Sequence, residues 1–426
     1  MRSIGAMTLG LLVLAGGPVA TASAALPDPL RSQQWYLNTI KAPAPGLIPG
    51  LAGVKVAVLD TGVDIHHADF AGAVTAGPSF TGGSAAEDPN GHGTNVAGII
   101  AARADNGVGV AGAASGVKVL SVRVLNAQQT GDTHQVAQGI DAAVAAGVGV
   151  INLSLGTDPS LATTINATDP VVPAMRRAIS AGIVVVAAAG NASLPVCAQP
   201  LIVTGLLCVG AVDRALNLTN YSNYALRVDV VAPGGDEANP IISTAPGGGY
   251  ASMLGTSQAT PQVSALAAML VAQGLHGQAV VDRIKQTTVD LGAPGVDLRF
   301  GSGLIDMTAA TATLGAAAPR TASSDRAATT TINLPASLSA RRLLRSDVIV
   351  ACRLPAGGTC HVEVRAGGHL IARGQRHAEA DQQTHIRLRP TAAGRRRLRT
   401  THGFKATMRA RGPQGHWAST TTWLMR

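Results

Sequence analysis

The sequence is poor in aromatic and charged residues, which make up 3% and 13% of its 426 positions. A disordered chain combines low hydrophobicity with many charges, and the 46% hydrophobic content excludes that class. Beyond the N-terminal segment the chain also lacks an uninterrupted apolar run of about 18 residues, so we expect no transmembrane anchor. A chain of this length has room for two or three domains with at least one large core.

The N-terminus has the pattern of a secretory signal peptide. Arg2 precedes the apolar run MTLGLLVLAGG, and Ala-Ser-Ala at 22–24 supplies a small-residue cleavage site. The apolar run is too short to remain in a membrane as an anchor. We predict that residues 1–24 are removed, that the mature chain starts at Ala25, and that it is exported.

Cysteine is scarce, and its four copies fall as two close pairs. An even number of cysteines in an oxidising compartment favours disulfides. We predict the pairs Cys197–Cys208 and Cys352–Cys360; the alternative is four reduced, buried thiols. We do not expect zinc, because neither pair has the close spacing of zinc-binding cysteines.

Six runs rich in β-branched residues are separated by Gly- and Ala-rich helical stretches. The runs are VKVAVLD, GVKVLSVRVL, GVGVINLSLG, GIVVVAAAGN, LLCVGAVD and VDVVAPG. Such apolar strands are typical of a parallel sheet covered on both faces. Residues 132–147 and 171–182 have the pattern of crossover helices that end at glycine. The sequence therefore predicts an α/β fold with a doubly wound, mostly parallel sheet over residues 25–315.

The basic residues are concentrated near the C-terminus. From Arg320 onward there are 18 arginines and one lysine against five acidic residues, whereas the whole chain carries a net charge of +9. Residues 316–332 are rich in Ala and Thr and are interpreted as a linker. Beyond them, the alternating runs DVIVACRL, CHVEVRA, THIRLRP and FKATMRA predict a small all-β, Ig-like sandwich domain over residues 333–426.

Three polar residues lie beside glycines at element boundaries: Asp60 after VAVL, His92 in NGHGT and Ser257 in LGTSQAT. Each has a structural alternative, since Ser257 could cap a helix, Asp60 could cap a turn and His92 could be a loop histidine. Together they are the set required for a serine nucleophile that an imidazole deprotonates and a carboxylate orients. Their joint occurrence favours the catalytic interpretation.

At this point the sequence resembles the subtilisin-like serine proteases, or subtilases. The resemblance covers about residues 33–315 and rests on four blocks in the family's order, VKVAVLDTGVD, HGTNVAGIIAA, INLSLG and GTSQATPQVSALAA. It implies a subtilisin-like fold in which Asp60 orients the base, His92 is the general base and acid, and Ser257 is the nucleophile. It also implies that the chemistry requires no cofactor.

The resemblance implies further site residues. Asn191, at the end of VVVAAAGN, matches the amide that forms the family's oxyanion hole together with the Ser257 N–H, although it could instead supply a left-handed turn. The residues expected to contact substrate are Ser154, Leu155 and Gly156 on one wall of the pocket and Ala188, Ala189 and Gly190 on the other. Small residues on both walls predict an open pocket that tolerates apolar side chains and has no fixed charge.

The sequence departs from the family at several positions. Gln258 stands where a Met usually follows the nucleophile, Gln262 replaces the usual His after the proline, and Asn95 replaces a common His. None of these performs the chemistry, so we expect altered tuning rather than loss. The opening QQWYLNTIKAP resembles the mycosin branch, whose members also lack a long pro-segment, but mycosins carry a C-terminal membrane helix where this chain has a basic β-domain.

Calcium is a candidate structural ligand. Asp69 and Asn106 match positions that supply oxygens to the family's tight calcium site, whereas the N-terminal ligand position falls near Arg31, which cannot coordinate a cation. Because calcium needs six or more oxygens, the alternative that both are structural turn residues is favoured. The neighbouring His66 and His67 are interpreted as structural rather than as zinc ligands.

The expected function is that of an exported serine endopeptidase with a polypeptide substrate. Two alternatives stay open: a narrow-specificity transpeptidase or esterase with the same triad, and a non-catalytic cell-surface protein on a protease scaffold. The basic C-terminal domain could bind an anionic cell-wall polymer, although a soluble module with solvated charges is favoured. No nucleic-acid partner is expected, because only Phe404, Trp417 and Trp423 could supply stacking platforms there.

Overall fold

The computed structural model divides into two compact units, Met1–Ala316 and Ala317–Arg426. In the first unit it describes residues 26–156, 168–200, 203–225 and 227–312. In the second it describes 331–333, 337–339, 343–345, 349–353, 358–378, 383–400, 403–411 and 417–425. The predicted signal peptide and most of the predicted linker lie outside the described residues.

The first unit is built on a seven-stranded parallel sheet. Its strands are β1 (Lys55–Asp60), β2 (Val74–Ser79), β3 (Lys118–Arg123), β4 (Val150–Leu153), β5 (Val184–Ala188), β6 (Leu207–Val212) and β7 (Val230–Pro233). They lie in the order β2-β3-β1-β4-β5-β6-β7, and every pair in the sheet is parallel. This confirms the predicted α/β architecture. The six apolar runs of the sequence are six of these seven strands.

Seven α-helices accompany this sheet in the described part of the unit. They are α1 (Trp35–Thr39), α2 (His92–Ala101), α3 (Thr133–Ala145), α4 (Val171–Ser180), α5 (Thr256–Ala272), α6 (Gln278–Gln286) and α7 (Met307–Thr311). Single 3₁₀ turns lie at Arg31–Gln33, Leu51–Gly53 and Pro246–Gly248. The two predicted crossover helices are α3 and α4. None of the described helices is long and apolar enough to cross a membrane.

Both faces of the sheet are covered by helices, as the continuous apolar strands require. On β1, Val56 and Val58 belong to the core that contains α2 and α5, whereas Ala57 and Leu59 belong to the core that contains α3 and α4. Side chains alternate between the two faces of a strand, so neighbouring residues of one run reach different cores. Strand β1 lies between β3 on one side and β4 on the other, so the order of the strands reverses at this point. Ligands of open α/β sheets bind at the carboxyl ends of the strands beside such a reversal.

An antiparallel hairpin and one edge strand were not predicted from the sequence. The hairpin consists of β8 (Ile241–Ala245) and β9 (Gly249–Met253), and Thr244 Oγ1 donates 2.7 Å to the Thr94 carbonyl of α2. The edge strand β2 has mostly exposed or half-exposed positions and includes Pro78. Proline and mixed exposure are tolerated at a sheet edge, where they remove the apolar pattern that marks a buried strand.

The second unit is mostly β-structure. Its strands are β10 (Thr331–Asn333), β11 (Ser337–Ser339), β12 (Ile349–Arg353), β13 (Gly358–Ala366), β14 (His369–Ala378), β15 (Gln383–Arg387), β16 (Arg389–Pro390), β17 (Gly403–Arg411) and β18 (Trp417–Met425). They form a three-stranded sheet, β10-β12-β15, and a six-stranded sheet, β11-β18-β17-β13-β14-β16. One helix, α8 (Ala392–Thr400), was not predicted, because the sequence was interpreted as an all-β domain in this region.

The structure describes the first of the two predicted disulfides completely and the second only in part. Cys197 and Cys208 form a disulfide that closes a loop with a sequence separation of 11, and both side chains are buried. Cys360 is also disulfide-bonded. The side chain of Cys352, its predicted partner, lies outside the described residues.

Candidate active site

The carboxyl end of β1 and the start of α2 bring Asp60 and His92 together. Asp60 is fully buried, and its Oδ1 lies 2.8 Å from His92 Nδ1 and accepts a 2.8 Å hydrogen bond from the Thr61 N–H. A Cβ at Gly93 would lie 2.0 Å from the Gly62 carbonyl oxygen. Only glycine therefore lets α2 start this close to the end of β1, and this close approach sets the Asp60–His92 distance.

Asp88 connects the same two elements, and the sequence did not single it out. Its Oδ1 accepts hydrogen bonds from Thr61 Oγ1 at 2.7 Å and from the Gly91 N–H at 2.8 Å. Its Oδ2 accepts from the Thr94 N–H and from Thr94 Oγ1, both at 2.7 Å. The carboxylate thus ties the turn after β1 to the first turn of α2. An acidic residue four positions before a histidine in a turn has no distinguishing sequence pattern.

Burial and neighbouring carboxylates act on His92 in opposite directions. Burial lowers the pKa of His92, while the charge of Asp60, the hydrogen bond to Asp60 and the charge of Asp88 raise it, and the net result is a raised pKa. Asp60 Oδ2 is buried with no hydrogen-bond partner among the described residues. The site therefore favours an imidazolium, the species formed when His92 takes a proton.

Ser257 lies in the first turn of α5, after the glycine that precedes the helix. Gly255 has φ of 148°, in the region that favours glycine. Ser257 Oγ donates a 3.1 Å hydrogen bond to the Ser154 carbonyl, and Ser154 Oγ donates a 2.8 Å bond to the Ser257 carbonyl. His92 and Ser257 line the same cleft, which has a volume of about 720 Å³. In this conformation the Ser257 hydroxyl directs its proton at Ser154, so the proton must be redirected before it can pass to His92.

Asn191 is held with its amide nitrogen available to the site. Its Oδ1 accepts hydrogen bonds from the Thr256 N–H at 2.9 Å and from Thr256 Oγ1 at 2.8 Å. Asn191 and Ser257 line one pocket of about 280 Å³. With Oδ1 occupied by two donors, Nδ2 is the group left to donate into that pocket.

The two predicted substrate walls face each other across this pocket. Leu155 and Gly156 line one side and Ala188 and Gly190 the other, with Ala198 between them. No ionisable side chain is among its described lining residues. Two further predicted wall residues are placed differently: the Ala189 side chain is fully buried in the core, and Ser154 lines the larger cleft.

Side-chain amides connect and support these walls. Gln199 Nε2 donates to the Leu155 carbonyl at 2.7 Å and to the Ala188 carbonyl at 3.3 Å, which joins the two walls. Asn223 Nδ2 donates 2.9 Å to the Ala189 carbonyl, and its Oδ1 accepts from the Ala192 N–H at 3.0 Å. Sequence reasoning missed both residues, because a buried amide that joins distant segments has no local signature.

The three departures from the family pattern lie in one network beside the nucleophile. Gln258 Nε2 lies 3.4 Å from Asn95 Oδ1, and Gln262 Nε2 donates 3.0 Å to the Gln258 carbonyl. Asn95 Nδ2 donates 3.0 Å to the Ala251 carbonyl of β9. Three independent-looking substitutions in the sequence are therefore neighbours in the fold.

The chain matches known proteins over the unit that carries this site. The sequence profile of the Subtilase family matches residues 52–303. Over 287 residues the chain is 39% identical to subtilisin Savinase of Lederbergia lenta, with 66% of this chain and 99% of that protein covered. The chain belongs to the subtilase family. As a subtilase it is a serine-type endopeptidase.

Two further relatives match similar portions of this subtilase. Thermitase of Thermoactinomyces vulgaris is 38% identical over 265 residues, which cover 62% of this chain and 91% of thermitase. A thermophilic serine proteinase of Bacillus sp. (strain AK1) is 40% identical over 267 residues, covering 62% of this chain. The match spans 63% of that proteinase, slightly less than two thirds of its length.

The candidate calcium residues lie together, but their oxygens already accept hydrogen bonds. Asp69 Oδ1 accepts from Asn106 Nδ2 at 3.1 Å and Oδ2 from the Val110 N–H at 2.9 Å, while Asn106 Oδ1 accepts from the Val108 N–H at 2.7 Å. Burial raises the pKa of Asp69 although these bonds oppose the rise. No group of three or more metal-ligating side chains occurs among the described residues. In this arrangement Asp69 and Asn106 stabilise a turn.

The surroundings of that turn also differ from the sequence expectation. Asp28, rather than Arg31, contacts it: Asp28 accepts hydrogen bonds from the Asp105 N–H at 2.9 Å and the Asn106 N–H at 3.0 Å. His67 Nε2 lies 2.8 Å from the Gly249 carbonyl oxygen, and its Nδ1 accepts from the Asp69 N–H at 3.1 Å. Both nitrogens of His67 are used within the fold, which agrees with its structural interpretation.

Proposed function

We propose that this subtilase is an exported endopeptidase that cleaves polypeptides through an acyl-enzyme on Ser257. The observation that carries the proposal is the 2.8 Å contact between Asp60 and His92 at a cleft that Ser257 also lines. An oriented imidazole beside a hydroxyl in an open cleft is the requirement for nucleophilic acyl transfer.

In the first half of the reaction Ser257 Oγ forms a bond to the carbonyl carbon of the scissile peptide. The hydroxyl proton passes to His92 Nε2, and Asp60 holds Nδ1 and stabilises the imidazolium. His92 then donates that proton to the leaving amine as the peptide C–N bond breaks, which leaves an ester on Ser257. In the second half a water gives its proton to His92, its oxygen attacks the ester carbonyl, and the proton returns to Ser257 as the acid product leaves.

The oxyanion of each tetrahedral intermediate would be stabilised by Asn191 Nδ2 and the Ser257 N–H. The N–H groups of the first turn of a helix have no partner within that helix. The positive end of the α5 dipole favours negative charge at the same place. The two donors come from different elements, and Thr256 fixes them relative to each other through its bonds to Asn191.

Substrate would bind as an added strand beside Ser154-Leu155-Gly156, with one side chain in the pocket between the two walls. The small, uncharged lining supports a preference for uncharged side chains immediately before the scissile bond. Charged side chains would lose hydration there without gaining a partner.

Asp69 and Asn106 supply two of the oxygen-bearing side chains of the calcium site that the sequence suggested. Both carboxylate oxygens of Asp69 and the amide oxygen of Asn106 already accept hydrogen bonds from the turn. A calcium site requires six or more oxygens directed at one point. We therefore propose that hydrogen bonds hold this turn, and we derive no step of the acyl transfer through a metal. For location, we propose an extracellular protein.

Two other activities share parts of this site. A transpeptidase or esterase would use the same acyl-enzyme and differ in the acceptor, so an added amine would appear in the products. A protein that only keeps the scaffold would have lost the Asp60–His92 contact or the Asn191 orientation, and both are present.

The test uses chain from Ala25 onward and its Ser257→Ala variant. Both are treated with a fluorophosphonate probe and then with unfolded casein. We expect labelling and cleavage only with Ser257 present. Labelling with amine transfer but no casein cleavage would replace the endopeptidase by a transpeptidase. A folded protein that neither labels nor cleaves would refute the proposal.

A further inference from the structure

On strands β13 and β14 the six-stranded sheet of the second unit has one apolar side and one charged side. On β13, Val362 and Val364 are fully buried, whereas Glu363 and Arg365 are only half-buried. On the neighbouring strand Ala372 is fully buried. Because side chains alternate along a strand, the apolar residues lie on the core side and the charged residues on the open side.

A row of directly opposed residues crosses the open side. Arg389 of β16 lies opposite Arg373 of β14, which lies opposite Glu363 of β13, which lies opposite Arg409 of β17. We call these four positions the arginine row. Arg373 and Arg389 are exposed, and Arg365 contacts the Glu363 carboxylate at 3.2 Å. The row thus contains three arginines and one carboxylate, and Arg365 on the same strand as Glu363 is a fourth arginine beside it.

Within the row, Arg389 and Arg373 repel each other, because like charges directly opposite on neighbouring strands are destabilising. Among the described residues, neither Arg373 nor Arg389 takes part in an ion pair. From β16 to β17 the row spans three strand spacings, about 14 Å. A ligand that neutralises it must therefore carry several negative charges along its length.

The chemistry of the row favours phosphate. From Arg320 onward the chain uses 18 arginines and one lysine. The guanidinium group binds phosphate through two parallel hydrogen bonds and remains charged at every relevant pH, which distinguishes it from lysine. The register also places Trp417 opposite Arg411 and Trp423 opposite Lys405, so further basic positions continue along β17.

We propose that the arginine row binds an anionic cell-wall polymer whose repeating unit contains a phosphate diester. Binding would neutralise the opposed arginines and hold the protease at the wall. This activity goes beyond peptide hydrolysis and does not depend on it, so the two can fail separately.

The test measures binding of labelled poly(glycerol phosphate) to the full-length protein carrying Ser257→Ala, which prevents self-cleavage. The probe variant adds Arg373→Gln and Arg389→Gln, and the control adds Arg103→Gln and Arg214→Gln, two exposed arginines of the first unit. We expect the probe variant to bind about 10- to 30-fold more weakly. Its slope of log affinity against log salt should fall by about 1.4, while the control stays within about twofold of the parent.

A reciprocal variant guards against a folding artefact. Glu363→Gln removes the carboxylate from the arginine row and should tighten binding by several-fold. Equal affinities for the parent, the probe variant and the control would overturn the proposal. An unchanged affinity in Glu363→Gln would also overturn it. So would a single-stranded oligonucleotide that binds the parent more tightly than the polymer does and that binds the probe variant more weakly than the parent.

Discussion

Asp88 accepts a 2.7 Å hydrogen bond from Thr61 Oγ1, in the turn directly after Asp60. It also accepts from Gly91 and Thr94 at the start of the helix that carries His92. The acid and the base of the proposed triad are thus held at their separation by a second carboxylate, which touches neither reacting atom. Its charge adds to that of Asp60 in raising the pKa of His92.

The first prediction concerns this positioning carboxylate. Asp88→Asn keeps the shape but replaces two acceptor oxygens by one, so we expect a loss of about 1–3 kcal/mol in the free energy of unfolding. We expect kcat to fall by about tenfold as the Asp60–His92 geometry loosens. Urea unfolding and steady-state kinetics measure the two effects. Glu237→Gln, at an exposed acid in the loop between β7 and β8, is the matched control and should change neither.

The second prediction concerns pH. Neutral His92 accepts the serine proton, so activity rises as His92 loses its proton, and a raised pKa moves this rise to higher pH. On the acid side of the pH profile, the pH at which kcat/KM reaches half of its maximum should therefore lie above 6.5, the ordinary pKa of histidine. In Asp88→Asn the limb should move to lower pH, because one cause of the raised pKa is gone. An acid limb that stays in place in this variant would contradict the assigned role of the Asp88 charge.

The third prediction concerns the oxyanion hole. In subtilisin, a relative of this chain, loss of one such donor costs about 10²–10³ in kcat, and we adopt that value for Asn191→Ala. Binding of the ground-state substrate should change little, so KM should stay within a few-fold. Thr256→Val is a second probe, because it removes the hydroxyl that fixes Asn191 Oδ1 and keeps Nδ2. We expect kcat to fall less in Thr256→Val than in Asn191→Ala. If KM rose in both variants while kcat stayed unchanged, Asn191 would not stabilise the transition state.

The parts that the sequence predicted are those with continuous local patterns. Six buried strands and the motifs around Asp60, His92 and Ser257 could be read because each is one short segment with a clear pattern. Edge strand β2 and helix α8 were missed, since Pro78 and the arginine run mask their periodicity.

The supporting contacts could not be predicted for a different reason. Gln258 meets Asn95 across 163 positions of sequence, and Gln199 meets Leu155 across 44. A contact between distant segments depends on how the whole sheet brings them together, and no local pattern encodes it. The orientation of the Ser257 hydroxyl toward Ser154 is of the same kind.

The fourth prediction concerns the depth of the substrate pocket. A Cβ placed on Gly156 would lie 3.2 Å from the Ala198 methyl, and one on Gly190 would lie 2.9 Å from it. The methyl group of Ala198 therefore lies between the two walls and limits the pocket. Ala198→Gly should raise kcat/KM for a peptide with Phe before the scissile bond, relative to one with Ala, by about tenfold, since one methyl group in a pocket changes discrimination by 10- to 200-fold. Ala192→Gly at the pocket rim is the control, and an equal shift in both variants would mean that Ala198 does not set the depth.

The fifth prediction concerns the disulfide that anchors Ala198. Cys197 and Cys208 close a loop of 11 positions, and the chain-entropy relation for a loop of that size gives about 3 kcal/mol of stabilisation. Replacing both cysteines by alanine should lower the free energy of unfolding by about that amount, as measured in urea. The loop carries Gln199, whose amide joins the Leu155 and Ala188 walls, so KM should rise for substrates that fill the pocket while fluorophosphonate labelling of Ser257 is retained. Loss of labelling in a folded variant would show that the disulfide supports the nucleophile itself. An unchanged KM would show that Gln199 joins the two walls without help from the disulfide.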